Sequence, residues 1–207
     1  MRRLVSDPER PDAKAIAEAV EVLRRGGIVA YPTDTLYGLA VDPTSDEAVR
    51  KLFDLKGRDA AAAIALIAAE PAQAEHAGRF GAIERRLGAS FWPGPLTIVV
   101  PAAETMSQLL APRGTLGVRV PDHPVARELA RRFGECITAT SANPSGTAAP
   151  ASAAGVVEAF SEGVDLLLDA GASRGGAPST IVEVVDGRLT LHRAGAIAWD
   201  RVLESVQ

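Results

Sequence analysis

Alternation of strand-like and helix-like segments predicts an α/β protein. Three observations carry that reading. Short apolar runs rich in Val, Ile and Leu recur between stretches whose apolar residues fall at helical spacing. Gly, Pro, Asn and Asp cluster between them as punctuation. A hydrophobic content of 47% against 23% charged residues is that of an ordinary globular chain, and 207 residues are enough for one core. A single domain over residues 1–207 is the expectation, with no internal repeat and no long linker.

The elements follow in order. Ala13 to Arg25 places Ile16, Ala19, Val20 and Leu23 on one helical face, and Gly26-Gly27 supplies the stop. Ile28 to Tyr31 is a strand. It runs into Pro32, which cannot donate to a ladder, and then into Thr33, Asp34, Thr35, Tyr37 and Gly38. Polar groups crowded at a strand end suit a ligand edge, and equally the N-cap of a following helix. Ser45 or Asp46 caps a helix carrying Val49, Leu52 and Phe53 and ending near Gly57. Ile64 to Ala68 is a strand. Residues 71–90 are mostly helical, interrupted at Gly78 or Gly81. Thr97 to Val100 and Thr115 to Val120 are strands, Val125 to Phe133 is an amphipathic helix, and Cys136 to Thr140 is a strand. Ala151 to Phe160 is helical and Val164 to Asp169 a buried strand. Thr180 to Val185 and Arg188 to His192 flank Asp186-Gly187, a strong two-residue hairpin signal. Gly171 to Pro178 is the loosest loop.

Composition narrows the function classes. No apolar run is long enough to cross a bilayer, and the opening Met-Arg-Arg-Leu-Val-Ser-Asp-Pro turns polar too early for a signal peptide. Cys136 is the sole cysteine, which excludes an internal disulfide and a thiolate metal cluster. A cytoplasmic location and no membrane partner are expected. The net charge of −4 argues against indiscriminate nucleic-acid binding while leaving room for a local basic pocket. His76, His123 and His192 show no metal-ligand spacing. There is no phosphate loop ending in Gly-Lys-Ser/Thr and no nucleophile elbow, so a hydrolase built from Ser141 and His123 lacks its motif.

Four constellations remain. In Leu55-Lys56-Gly57-Arg58, two long cations flank a glycine. That pattern suits a polyanion, and it suits a positively decorated helix C-terminus equally well. Phe91-Trp-Pro-Gly-Pro-Leu-Thr97 is a structural corner leading into a strand. Arg119 in Gly117-Val-Arg-Val-Pro121 points away from Val118 and Val120, as a surface arginine or as a fork for a carboxylate. Thr138 to Gly146 leaves its strand through hydroxyls and Asn143. This is a loop able to meet phosphate or ribose oxygens, or an Asx turn. Ser179-Thr180 and Arg193 repeat the theme at later strand ends.

The segments YPTDTLYGLA, LKGR, FWPGPLT, TLGVRVPDHP, TSANPSG, PSTIV and HRAG, in this order over roughly residues 15–197, resemble the threonylcarbamoyl-AMP synthase family, the YrdC-type domains. The resemblance implies a twisted mixed sheet with flanking helices around a basic concave cavity, without the additional C-terminal domain that some members carry. It implies synthesis of threonylcarbamoyl-adenylate and pyrophosphate from L-threonine, bicarbonate and ATP, with Mg2+ accompanying the ATP. It also implies a place in tRNA modification, with tRNA or a tRNA-modifying transferase complex as partner. Matched position by position, Lys56, Arg58, Thr115, Ser141, Asn143 and Arg193 fall at nucleotide contacts, and Thr35, Arg119 and Ser179 at threonine contacts. Thr33 and Asp34 are then left as capping residues. The match breaks after Arg58. Asp59, Ala62-Ala63-Ile64 and Ile67 stand where the family carries proline, asparagine-proline-leucine and histidine, and Ala149 replaces a common hydroxyl residue. These departures keep open a non-catalytic relative binding RNA or nucleotide, and a relative handling another carbamoyl donor.

Overall fold

A computed structural model describes residues 1–57 and 64–206. Among the described residues, ten strands form one mixed sheet. In chain order they are β1 (Arg2–Val5), β2 (Val29–Tyr31), β3 (Gly38–Ala40), β4 (Ala65–Ile67), β5 (Leu96–Pro101), β6 (Thr115–Arg119), β7 (Ile137–Ser141), β8 (Leu166–Asp169), β9 (Thr180–Val185) and β10 (Arg188–Arg193). Their order across the sheet is β1-β8-β2-β3-β7-β4-β6-β5-β9-β10. The pairs β1–β8, β2–β8, β4–β6 and β5–β9 are parallel, and the other neighbours are antiparallel.

Seven helices accompany the sheet among the described residues: α1 (Ala13–Arg24), α2 (Asp46–Lys56), α3 (Pro71–Ala77), α4 (Ala82–Phe91), α5 (Pro124–Phe133), α6 (Ala153–Ala159) and α7 (Trp199–Glu204). The local chemistry of their ends is the chemistry read from sequence. Asp12 accepts from the Ala15 amide at 2.7 Å to cap α1, and Ser45 accepts from the Ala48 amide to cap α2. Gly57 closes α2 at φ 57°, where a side chain would be strained. Asp186 and Gly187, at φ 50° and 74°, make the primed turn between β9 and β10.

Period-2 alternation divides the core into two layers. Ala30, Leu39, Leu66 and Leu167 face one side, with Val49, Leu52 and Phe53 of α2 and Val156 of α6. Val29, Tyr31, Ala40, Ile67, Leu166 and Leu168 face the other, under α1 and α5. Ile16, Leu23 and Leu129 close that second layer with no exposure. Each such side chain contributes roughly 1.5–3 kcal/mol by leaving water.

Three elements go beyond the sequence reading. β1 carries two arginines and looks like a polar leader, yet it pairs with β8 and is held by the Arg3–Asp169 ion pair. β3 is three residues of low strand propensity, placed by its hairpin with β2. α7 is a short terminal helix docked through Val202.

One reading is corrected. Thr33 and Asp34 cap no helix, because the chain turns directly into β3. The Thr33 hydroxyl instead closes the turn, donating to the Leu36 carbonyl at 2.7 Å and accepting from the Thr35 and Leu36 amides.

Candidate functional site

The α1–α5 layer stops short of β6, β5 and β9, and a cavity of about 320 Å3 opens at its margin, with Tyr31 and Ile67 shared between layer and cavity. Small residues create the depth. Ala65 pairs with Ala139 across β4 and β7, and Gly38 pairs with Ser141 across β3 and β7. A Cβ on Gly117 would stand 2.8 Å from the Thr97 methyl and 3.6 Å from the Ala65 Cβ, so only glycine lets those two lining residues lie as they do. The volume lies within the range of small-molecule sites. A wider depression of about 670 Å3 elsewhere is lined by Arg25, Lys51, Asp54 and Asp165 among others. Its charges are of both signs and partly paired: Lys51 with Glu47, and Asp165 with the Ile28 amide. Of the quoted motifs it takes in Leu55 of LKGR and no other described residue.

Hydroxyls and arginines rim the smaller cavity. Thr33, Thr35, Thr97, Ser141, Ser179, Arg119 and Arg193 all line it. Thr35 Oγ1 lies 3.1 Å from Thr33 Oγ1, and Thr97 Oγ1 lies 2.9 Å from Ser179 Oγ. Arg193 donates to the Ser179 carbonyl at 2.8 and 3.1 Å and to its hydroxyl at 2.9 Å. Burial and the neighbouring Arg119 pull the Arg193 pKa below the usual guanidinium range, although an arginine stays cationic at any ordinary pH. Two guanidinium groups in one cavity favour an anion between them.

Arg119 is no surface arginine. Its side chain is 8% exposed, and Nη1 lies 3.0 and 3.2 Å from the two carboxylate oxygens of Asp34, itself 5% exposed. Beside the pair stands Tyr31, whose phenol donates to the Thr138 carbonyl at 3.1 Å; burial raises its pKa, against the opposing pull of Arg119.

The residues matched to a nucleotide divide. Ser141 and Arg193 line the cavity; Lys56, Asn143 and Thr115 do not. Lys56 is 3% exposed and donates to the Ser141 carbonyl at 2.6 Å and the Asn143 carbonyl at 2.7 Å. The Lys56 carbonyl in turn accepts from the Ser145 amide. The Asn143 amide group donates to the Pro144 and Thr147 carbonyls, and its Oδ1 is buried without a partner among the described residues. Lys56 and Asn143 therefore fix the course of the loop that presents Ser141. Thr115 opens β6 opposite Pro101. Arg58, Asp59, Ala62 and Ala63 lie outside the described residues.

The 171–178 segment passes beside the cavity. The Gly175 amide donates to the Thr35 carbonyl at 3.0 Å, the Tyr37 hydroxyl donates to the Gly171 carbonyl at 2.7 Å, and Arg174 pairs with Asp122 at 3.3 Å. Burial pushes the Tyr37 hydroxyl up to about 12, so it stays a donor. The Trp92 corner is structural, as expected: its indole donates to the Leu96 carbonyl at 2.7 Å and its ring meets Phe80 edge-on. Among the described residues no cluster of His, Cys, Asp or Glu is placed to hold a metal. Nor is any helix long and apolar enough to cross a membrane. Sequence reasoning missed Asp34 and Thr97. The strand alternation that sends Arg119 to the face opposite Val118 and Val120 applies equally to Thr97 beside Leu96 and Ile98.

The family model Sua5/YciO/YrdC, described as "Telomere recombination", matches residues 21–195. The chain is 43% identical over 184 residues to the threonylcarbamoyl-AMP synthase of Chromohalobacter salexigens, covering 87% of this chain and 98% of that protein. It is 32% identical over 204 residues to the threonylcarbamoyl-AMP synthase of Pyrococcus abyssi, where 98% of this chain spans 60% of the relative. Among solved structures, P. abyssi Sua5 complexed with L-threonine superposes with a TM-score of 0.93 at 31% identity, covering all of this chain and 61% of that one. Escherichia coli YciO superposes at 0.87 with both chains fully covered; at 23% identity it speaks to the fold alone.

Proposed function

The chain belongs to the Sua5/YciO/YrdC family, and on that premise we propose that it is a threonylcarbamoyl-AMP synthase. The observation that carries the reading is the buried Arg119 at one end of a hydroxyl-rimmed cavity, in a fold shared with a Sua5 that holds L-threonine.

The arrangement suits the reaction. Arg119 meets the carboxylate of the amino acid through charge-assisted hydrogen bonds, and Thr35, Ser179 and Thr97 offer hydroxyls to its other polar atoms. The neutral amine attacks carbon dioxide, giving up a proton to solvent, or bicarbonate, which loses water, to form a carbamate. A carbamate oxygen then attacks the α-phosphorus of ATP, and pyrophosphate leaves with the electron pair of the broken P–O bond. This chemistry needs placement and charge neutralisation more than a protein nucleophile. Arg193 and Arg58 supply positive charge for the triphosphate, while Lys56 and Asn143 hold the Ser141 loop against the nucleotide. Mg2+ enters with ATP as part of the substrate and shares the neutralisation of the triphosphate. Bicarbonate as the carbon source, a tRNA-modifying complex as the consumer of the product, and a cytoplasmic setting complete the proposal.

Incubation with magnesium-ATP, bicarbonate and L-threonine, followed by mass spectrometry, tests it. Threonylcarbamoyl-adenylate and pyrophosphate are expected in equal amounts, both dependent on threonine. Pyrophosphate release that ignores threonine, or none at all, would overturn the assignment.

A further inference from the structure

Asp34 occupies an unusual position for a structural ion-pair partner. It and Arg119 are both more than nine-tenths buried, and a buried pair recovers its desolvation penalty only when the remaining donors and acceptors are also met. They are not met within the protein. Arg119 engages Asp34 through Nη1 alone, and its Nε and Nη2 have no protein acceptor among the described residues. Asp34 Oδ1, although 3.0 Å from Nη1, has no hydrogen bond of proper geometry. The pair is anchored from one side and left open on the other, where Arg119 lines the cavity.

Three neighbours restrict how that guanidinium can move. Arg119 sits in register beside Ile67 on β4, whose apolar side chain offers it no hydrogen bond. Arg193 approaches from the β10 side and repels it. Asp34 is held in turn by the Thr33 hydroxyl turn, which fixes the backbone on both sides of it. Without a fixed anion behind it, Arg119 would swing away from Arg193 and out of its working geometry.

We infer that Asp34 is a positioning residue: it fixes Arg119 from behind through Nη1 and so presents the Nε–Nη2 edge to the carboxylate of the substrate amino acid. Asp34 touches no reacting atom. Its charge offsets that of Arg119 before substrate arrives, so the guanidinium is held in place while its other edge stays open to the cavity. The inference rests on the synthase reading for the identity of that carboxylate.

Steady-state kinetics on Asp34→Asn, Arg119→Gln and the double variant test it, with threonine and ATP varied separately. Asp34→Asn is expected to raise the KM for threonine at least tenfold while the KM for ATP changes less than twofold. A general loss of structure would not produce that split. Because Asp34 acts through Arg119, the double variant should show the threonine KM of Arg119→Gln alone, and with both charges removed it leaves no orphaned ion to unfold the chain. An unchanged threonine KM in Asp34→Asn, equal rises in both KM values, or multiplied effects in the double variant would each overturn the positioning role. An inactive wild-type protein would instead overturn the synthase reading, and this inference with it.

Discussion

The two ends of the cavity are built differently. At the Arg119 end, the groups matched to threonine already face the open volume: Thr35, Arg119 and Ser179 all line it. At the Ser141 end, two of the groups matched to ATP lie behind the lining, with Lys56 on the Ser141 and Asn143 carbonyls and Asn143 on the Pro144 and Thr147 carbonyls. A cation in a binding motif can thus act by binding, or by shaping the loop that binds. Burial alone does not separate these roles, since Arg119 and Lys56 are 7% and 3% exposed. What their N–H groups point at does.

Substitutions at the two ends should therefore fail in different ways. The largest effect is expected for Arg119→Ala. Losing a charge-assisted contact to the substrate removes roughly 1.5–3 kcal/mol, a ten- to hundredfold fall in kcat/KM for threonine, and Asp34 is left buried and unpaired. Kinetics with threonine and ATP varied separately would show the loss in the threonine parameter. A loss confined to ATP would reverse the assignment of the two ends.

Lys56→Met should look like a scaffold defect. Taking the charged donor away from the Ser141 and Asn143 carbonyls lowers stability by about 2 kcal/mol, or roughly 4–8 °C in Tm for a domain of this size, and weakens both substrates together. A fall in ATP affinity alone, at unchanged Tm, would make Lys56 a direct ligand.

Ser179→Ala is milder. The hydroxyl accepts from Arg193 and meets Thr97, so about 1 kcal/mol and a roughly fivefold rise in threonine KM are expected. No change would leave Thr35 and Thr97 as the hydroxyls that matter.

The smallest effect concerns pH. Burial lowers the pKa of His123, with Asp34 opposing, so the folded protein favours the neutral ring. The unfolded chain then binds a proton that the folded one refuses. Stability should fall as pH drops below about 6.5, and His123→Gln should flatten that slope in thermal melts.

Much of this architecture was legible because it is local. Asp186-Gly187, the Ser45 cap and the Gly57 stop each act within a few residues, and each stands as read. β3 was not legible, since Gly38-Leu39-Ala40 becomes a strand only by pairing with β2 and β7. In the site, Thr35, Ser141, Ser179, Arg119 and Arg193 converge on one cavity from five separate segments. Their orientation was beyond reach. Asp34 reads as a helix cap along the chain because its partner Arg119 is 85 residues away, and the carbonyls that Lys56 meets are 85 and 87 residues away. Long-range partners decide what a short polar motif does, and spacing along the chain does not reveal them.

The central claim is that the amino-acid end is formed before the nucleotide arrives. Calorimetric titration of L-threonine into the nucleotide-free protein tests it most directly. Saturable binding that is lost in Arg119→Ala and kept in Ser141→Ala is the expected result. Threonine binding that appears only after ATP is added, or that survives in Arg119→Ala, would contradict the account.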